Sequence, residues 1–168
     1  MTTDSGALHR AAIDLLEALK AREAMICTVE SCTGGMIAAA LTDIAGSSAA
    51  VAGGLVTYSN EAKHDLAGVP MALIERHGAV SEPVAVAMAE GGLQACRAHI
   101  AIAVTGVAGP GGGSVEKPVG LVHFACAATG STTLHERHLF ADRGRAFIRR
   151  ETVAQAFRLV HRMLRAQD

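Results

Sequence analysis

The chain has 168 residues, is 50% hydrophobic and only 3% aromatic, and carries a formal net charge of −1. That length suits one domain, and so apolar a chain with 18% charged residues folds. Near-neutral charge and a single Tyr with four Phe speak against a nucleic-acid surface, which needs basic and stacking side chains. No run approaches the roughly 20 apolar residues of a membrane span. The first ten residues, MTTDSGALHR, lack the apolar core of a secretory signal, so the expectation is a cytoplasmic protein. Cys27, Cys32, Cys96 and Cys126 form no CxxC pair, so no metal is expected and reduced, buried thiols are.

Taken in chain order, Leu8, Ala11, Ala12, Leu15, Leu16 and Leu19 follow helical spacing and predict a first helix over 5–22. A short apolar run over 25–29 reads as a buried strand, and a small-residue helix follows over 36–41. Residues 51–58 read as a strand loosened by Gly53 and Gly54. Asn60 is placed to cap a short helix through Leu66, and another short helix covers 71–77. Ser81-Glu82-Pro83 is a strong helix start. That helix, over 81–97, is apolar nearly all round and so expected to be buried, with Gly91 and Gly92 allowing a neighbour close. A second buried strand over 99–105, a glycine-rich loop over 106–118, a hairpin over 119–127 and 132–140, and a helix over 146–165 complete the chain. This succession predicts a single-domain α/β/α sandwich with a mixed sheet.

Two loops attract chemistry because each follows a buried strand. The first is Glu30-Ser31-Cys32-Thr33-Gly34-Gly35. A serine at a strand end, before glycines and a helix, stands where open α/β sheets place their sites. One reading makes Ser31 a nucleophile with the amides of Thr33, Gly34 or Gly35 as its oxyanion hole. The other makes Ser31 or Thr33 a helix cap, and Cys32 is a third option as nucleophile. The second loop, Val107 to Ser114, exposes consecutive glycine N–H groups suited to phosphate, without the spacing of a P-loop. A serine nucleophile needs a base, and no Ser-His-Asp order is evident. Of the three lysines, Lys63 sits in a helix's first turn, where the dipole and burial both favour the neutral amine. Lys117 is the second contender. His135 and His138 point to opposite faces of a strand and make a poor metal pair. Among Arg143, Arg145, Arg149 and Arg150, one could grip a phosphate.

These segments resemble one family. ESCTGG at 30–35, TDIAGSS at 42–48, VTYSNEAK at 56–63, HGAVSEPV at 77–84, TGVAGPGGGSVEKPVG at 105–120 and R-x-x-I-R at 145–149 run in the order of the nicotinamide-nucleotide amidases, the CinA C-terminal domain family. The resemblance spans nearly the whole chain and implies a single amidase domain over 1–168, the stand-alone form. It implies hydrolysis of the carboxamide of nicotinamide mononucleotide to nicotinate mononucleotide and ammonia, without a cofactor. It further implies Ser31 as nucleophile, Lys63 as base, and Tyr58 and Thr105 lining the catalytic site. Glu30, Thr33, Gly34 and Gly35 would meet the substrate, and Gly109, Gly111, Gly112 and Arg145 would hold its phosphate. Gly111 stands where family loops often carry an acid. The expected partner is therefore a small nucleotide, with no nucleic acid or membrane, and homo-oligomerisation is left open. The rival readings are a non-catalytic pyridine-nucleotide-binding module, in which Ser31 is merely a cap, and a metallohydrolase.

Overall fold

The structure is a computed structural model that describes residues 5–167. Five strands form one mixed sheet in the order β2-β1-β3-β4-β5. Strands β1 (Ile26–Glu30), β2 (Val51–Val56) and β3 (Ile100–Gly106) run parallel; β4 (Leu121–Ala128) is antiparallel to β3, and β5 (Leu134–Leu139) to β4. Parallel neighbours need crossovers, and helices supply them. α1 (Ser5–Ala21), α2 (Met36–Thr42) and α6 (Arg145–Ala166) cover one face; α3 (Asn60–Ala67), α4 (Met71–His77) and α5 (Glu82–Ala95) cover the other. The expected α/β/α sandwich is therefore the fold.

Alternation within the strands builds two cores. Ile100, Ile102 and Val104 of β3 pack under α1 and α6 with Leu15, Leu16, Phe157 and Val160. Ala101 and Ala103 pack under α5 with Val84, Met88 and Ala89. The interior strands β1 and β4 are buried along their whole length between the two helical layers, polar Thr28, Glu30 and His123 included. Alanines on the α5 side leave little depth, so α5 sits close. Gly92 lies against the Val29 side chain, and a Cβ on Gly91 would strike the Ala67 carbonyl, so both glycines serve close approach as expected.

Four expectations change in detail. α5 buries only Val84, Ala85, Met88, Ala89 and Gly92, because it covers the sheet on one side and is half-open on the other. The cap of α3 is Ser59, whose Oγ accepts from the Ala62 N–H at 3.0 Å, and not Asn60, which is the first helical residue. Ser81 precedes α5 but makes no side-chain cap; its hydroxyl donates to the Gly78 carbonyl at 2.8 Å. β2 ends at Val56, so Thr57 and Tyr58 leave the sheet and turn their carbonyls toward the side chain of Lys63.

Candidate functional site

The site lies at the C-terminal ends of the parallel strands. β1 delivers Ser31 there, and the Ser31 N–H donates to Val104 O at 3.1 Å, prolonging the β1–β3 ladder into the loop. The chain then turns sharply. Gly34 (φ 58°) and Gly35 (φ 97°) take left-handed backbone that side chains disfavour, which is why glycines stand here. The Gly34 N–H closes the turn onto Ser31 O at 3.1 Å.

Glu30 is wholly buried, and its carboxylate does not face a substrate. It accepts N–H bonds from Gly35 (3.1 Å), Ile37 (2.9 Å) and Ala38 (2.8 Å), at the start of α2. A buried carboxylate on a helix N-terminus satisfies the free donors and the dipole together. Two expectations are corrected by this. Glu30 is a helix anchor with no surface to offer a ligand, and the Gly34 and Gly35 amides are already engaged. Among the described residues, the backbone N–H groups of Cys32 and Thr33 are the ones in this turn without a hydrogen-bond partner. The Thr33 side chain is fully buried, and its hydroxyl has no partner among the described residues either. Thr33 as a whole is closed to solvent, so like Glu30 it offers a ligand no surface, and its place among the substrate contacts is corrected as well.

Lys63 rises from the first turn of α3 with its side chain 1% exposed. Its Nζ lies 3.2 Å from Ser31 Oγ and 2.9 Å from the Thr57 carbonyl, with the Tyr58 and Ser59 carbonyls at 3.4 and 3.5 Å. Burial pushes the lysine below its ordinary pKa. No carboxylate pairs with it among the described residues, so no ion pair opposes that shift. Glu61, two residues earlier and on the surface, is instead held below the usual carboxylate range by its own N–H and Ser59 at the helix start. A neutral amine can donate to the Thr57 and Tyr58 carbonyls and turn its lone pair to the serine.

The other candidates divide. Cys32 is buried, and burial pushes its thiol up to about 12, so at neutral pH it is not a thiolate nucleophile. Lys117 lies elsewhere; its Nζ donates to His77 O at 2.7 Å and ties the glycine loop to the end of α4. Thr105 is buried beside the ladder, and its hydroxyl proton is engaged on Ala79 O at 2.8 Å. It holds the segment between α4 and α5 in place. Tyr58 is exposed, and its hydroxyl accepts from Arg145 Nη2 at 3.1 Å, while Arg145 Nη1 donates to Gly109 O at 3.1 Å. Tyr58 and Arg145 thus form an exposed rim tied to the buried Gly109, with Gly111 and Gly112 open to solvent beyond them. His135 is no metal ligand with His138. It pairs with His123 at 3.0 Å, while His138 meets Glu136. Among the described residues, no group of three or more His, Cys, Asp or Glu could hold a metal ion. No helix among them is long and apolar enough to cross a membrane.

One contact was not singled out by the sequence. Arg149, half-buried on α6, donates from Nε to Cys32 O (3.1 Å) and from Nη2 to Thr33 O (2.7 Å). The signal was present in R-x-x-I-R, because residues four apart share a helix face and Arg145 already reaches the rim.

This is a single-sheet α/β domain with a serine, a buried lysine and the unpartnered Cys32 N–H at the C-terminal ends of the parallel strands. Residues 9–164 match the CinA C-terminal domain, and the chain belongs to that family. It is 52% identical over 140 residues to a protein of Escherichia coli K12 named nicotinamide-nucleotide amidohydrolase PncC, covering 83% of this chain and 84% of that one. It is 55% identical over 139 residues to a CinA-like protein of Mycolicibacterium vanbaalenii, covering 83% of this chain but 33% of that longer one. The crystal structure of the competence/damage inducible protein CihA from Agrobacterium tumefaciens superposes with a TM-score of 0.93 at 47% identity, covering 98% of this chain and 99% of that one.

Proposed function

We propose that this chain hydrolyses the carboxamide of nicotinamide mononucleotide, giving nicotinate mononucleotide and ammonia, with Ser31 as nucleophile and Lys63 as base. The observation that carries the reading is the buried Lys63 Nζ, 3.2 Å from Ser31 Oγ and free of carboxylates among the described residues. The substrate comes from the name of the 52% identical Escherichia coli relative, over 83% of this chain. Lys63, neutral, takes the Ser31 proton as Oγ bonds to the carboxamide carbon. The Cys32 N–H receives the developing oxyanion, such a donor being worth roughly 3–4 kcal/mol. The C–N bond breaks, Lys63 returns the proton, and ammonia leaves. Water, deprotonated by Lys63, then cleaves the acyl ester and frees Ser31. Arg145 with the glycines at 109, 111 and 112 holds the phosphate at the rim.

The test is a time course of ammonia and nicotinate mononucleotide from the mononucleotide, with free nicotinamide in parallel. The reading expects stoichiometric products from the nucleotide and a kcat/KM lower by at least about 100-fold for nicotinamide, whose missing phosphate forfeits binding usable in the transition state. Equal rates for both compounds would remove the rim as a phosphate site. Binding of the nucleotide without any ammonia would make the chain a binding module.

A further inference from the structure

We infer that Cys27 and Cys96 form an oxidisable dithiol site, which a hydroperoxide closes into a disulfide that staples the end of α5 to β1. The cysteines divide by face of the sheet. Cys32 and Cys126 lie in the core under α1 and α6, whereas Cys27 lies in the core under α5 and Cys96 packs against it. Helix and strand spacing bring these two together. Gly92 of α5 lies against the Val29 side chain of β1, and α5, as the crossover to the parallel β3, runs against the strand direction. Four helical residues rise about 6 Å and two strand residues about 6.6 Å. One turn on from Gly92 the helix therefore stands over the side chain two residues before Val29, and those residues are Cys96 and Cys27. Gly53, the ladder partner of Cys27 on β2, completes the fit. Cys96 Sγ lies 3.7 Å from where a Gly53 Cβ would be, so the thiol occupies the space that a larger side chain beside Cys27 would fill.

The two thiols differ in access. Cys27 is wholly buried, and its weak S–H bond goes to Thr28 O at 3.6 Å. Burial, and with it the hydrogen bond and charge contact with Cys96, pushes the Cys27 thiol up. Cys96, at the end of α5, is partly exposed and meets the oxidant first. Its sulfur loses the thiol proton and attacks one oxygen of hydrogen peroxide. The O–O bond breaks, Cys96 becomes a sulfenic acid, and the other oxygen leaves with that proton as water. The Cys27 sulfur then attacks the Cys96 sulfur, the S–O bond breaks, and hydroxide leaves with the Cys27 proton as a second water. The thiols lose two electrons and the peroxide gains them. Cys32 and Cys126 stay out of the reaction, because burial pushes both thiols up and the sheet separates them from this pair. The pair lies toward the end of β1 away from Ser31.

The experiment exposes the reduced protein to hydrogen peroxide, blocks remaining thiols with iodoacetamide on unfolding, and reads the product by non-reducing peptide mass spectrometry, with Tm measured in parallel. Expected is a single chain lighter by two hydrogens, with a cross-link between the peptides that carry Cys27 and Cys96. Its Tm rises by roughly 4–16 °C, the gain typical of a disulfide in a domain of this size, and dithiothreitol reverses both changes. Cys96→Ser abolishes the cross-link and the Tm rise. Cys27→Ala leaves Cys96 as a sulfenic acid that dimedone traps; should that buried variant not fold, Cys96→Ser carries the comparison. Three results in peroxide-treated wild type overturn the inference: Cys96 going on to sulfinic acid while Cys27 still takes iodoacetamide, a cross-link that joins Cys32, Cys126 or two chains, and all thiols remaining open to alkylation.

Discussion

Glu30→Gln is nearly isosteric and removes one charge at the most heavily bonded side chain of the nucleophile turn. The carboxylate takes Gly35 and Ile37 on Oε2 and Ala38 on Oε1. An amide has one oxygen, so in its better orientation it keeps two of these bonds and turns an NH2 toward the remaining N–H. That donor is then buried without a partner. A hydrogen bond to a charged group contributes about 1.5–3 kcal/mol, and the lost attraction to the α2 N-terminus adds up to about 2 kcal/mol in a buried setting. The combined loss is about 2–5 kcal/mol. For a domain of this size each kcal/mol moves Tm by about 2–4 °C, so thermal unfolding followed by circular dichroism should show a fall of roughly 4–20 °C. Glu75→Gln, on the exposed face of α4, should change Tm by less than about 2 °C. A Tm for Glu30→Gln within about 2 °C of wild type would refute the anchoring role and return Glu30 to the list of groups free to meet a substrate.

Burial lowers the pKa of Lys63, so between that value and its ordinary 10.4 or so the unfolded chain binds the extra proton, and wild-type stability rises with pH. Urea unfolding from pH 7 to 10 should show wild type gaining steadily on Lys63→Met; a pH-independent difference would mean that Lys63 titrates normally. Cys32, with its thiol pushed up to about 12, should resist iodoacetamide at pH 8 in the native protein, as read by peptide mass spectrometry; rapid labelling with loss of activity would reopen it as a nucleophile. Arg145→Ala should raise KM for nicotinamide mononucleotide at least about ten-fold while leaving the slow turnover of free nicotinamide unchanged; an equal effect on both would move the phosphate elsewhere.

The parts of this protein that follow local rules were legible in the sequence. The continuous apolar runs of β1 and β3, the stripe of α1 and the small-residue approach at Gly91 and Gly92 each follow from burial alone. Ser31 and Lys63 were also legible, the first from its place at a strand end and the second from its place in a helix's first turn. Their meeting at 3.2 Å depends on chain order that residue-level rules do not supply. Two errors share one cause. Nothing local says whether an acid at a strand end faces a ligand or folds back, and Glu30 folds back because α2 begins with free N–H groups five residues on. Likewise Ser59 and Asn60 are both good caps, and only the departure of Thr57 and Tyr58 from the sheet decides between them. Arg149 was hidden by distance, its partners at Cys32 and Thr33 being 117 and 116 residues away.

Ser31→Ala tests the central claim most directly, measured as ammonia release from nicotinamide mononucleotide alongside calorimetric binding of nicotinate mononucleotide. Loss of the hydroxyl leaves the Glu30 anchor, the Lys63 contacts to the Thr57 and Tyr58 carbonyls and the arginines untouched. The account predicts turnover lower by about 10⁴-fold or more, as removal of a serine nucleophile elsewhere costs, with product affinity within about three-fold of wild type. Turnover within about ten-fold of wild type would contradict it, since the carboxamide would then be attacked by a group other than Ser31.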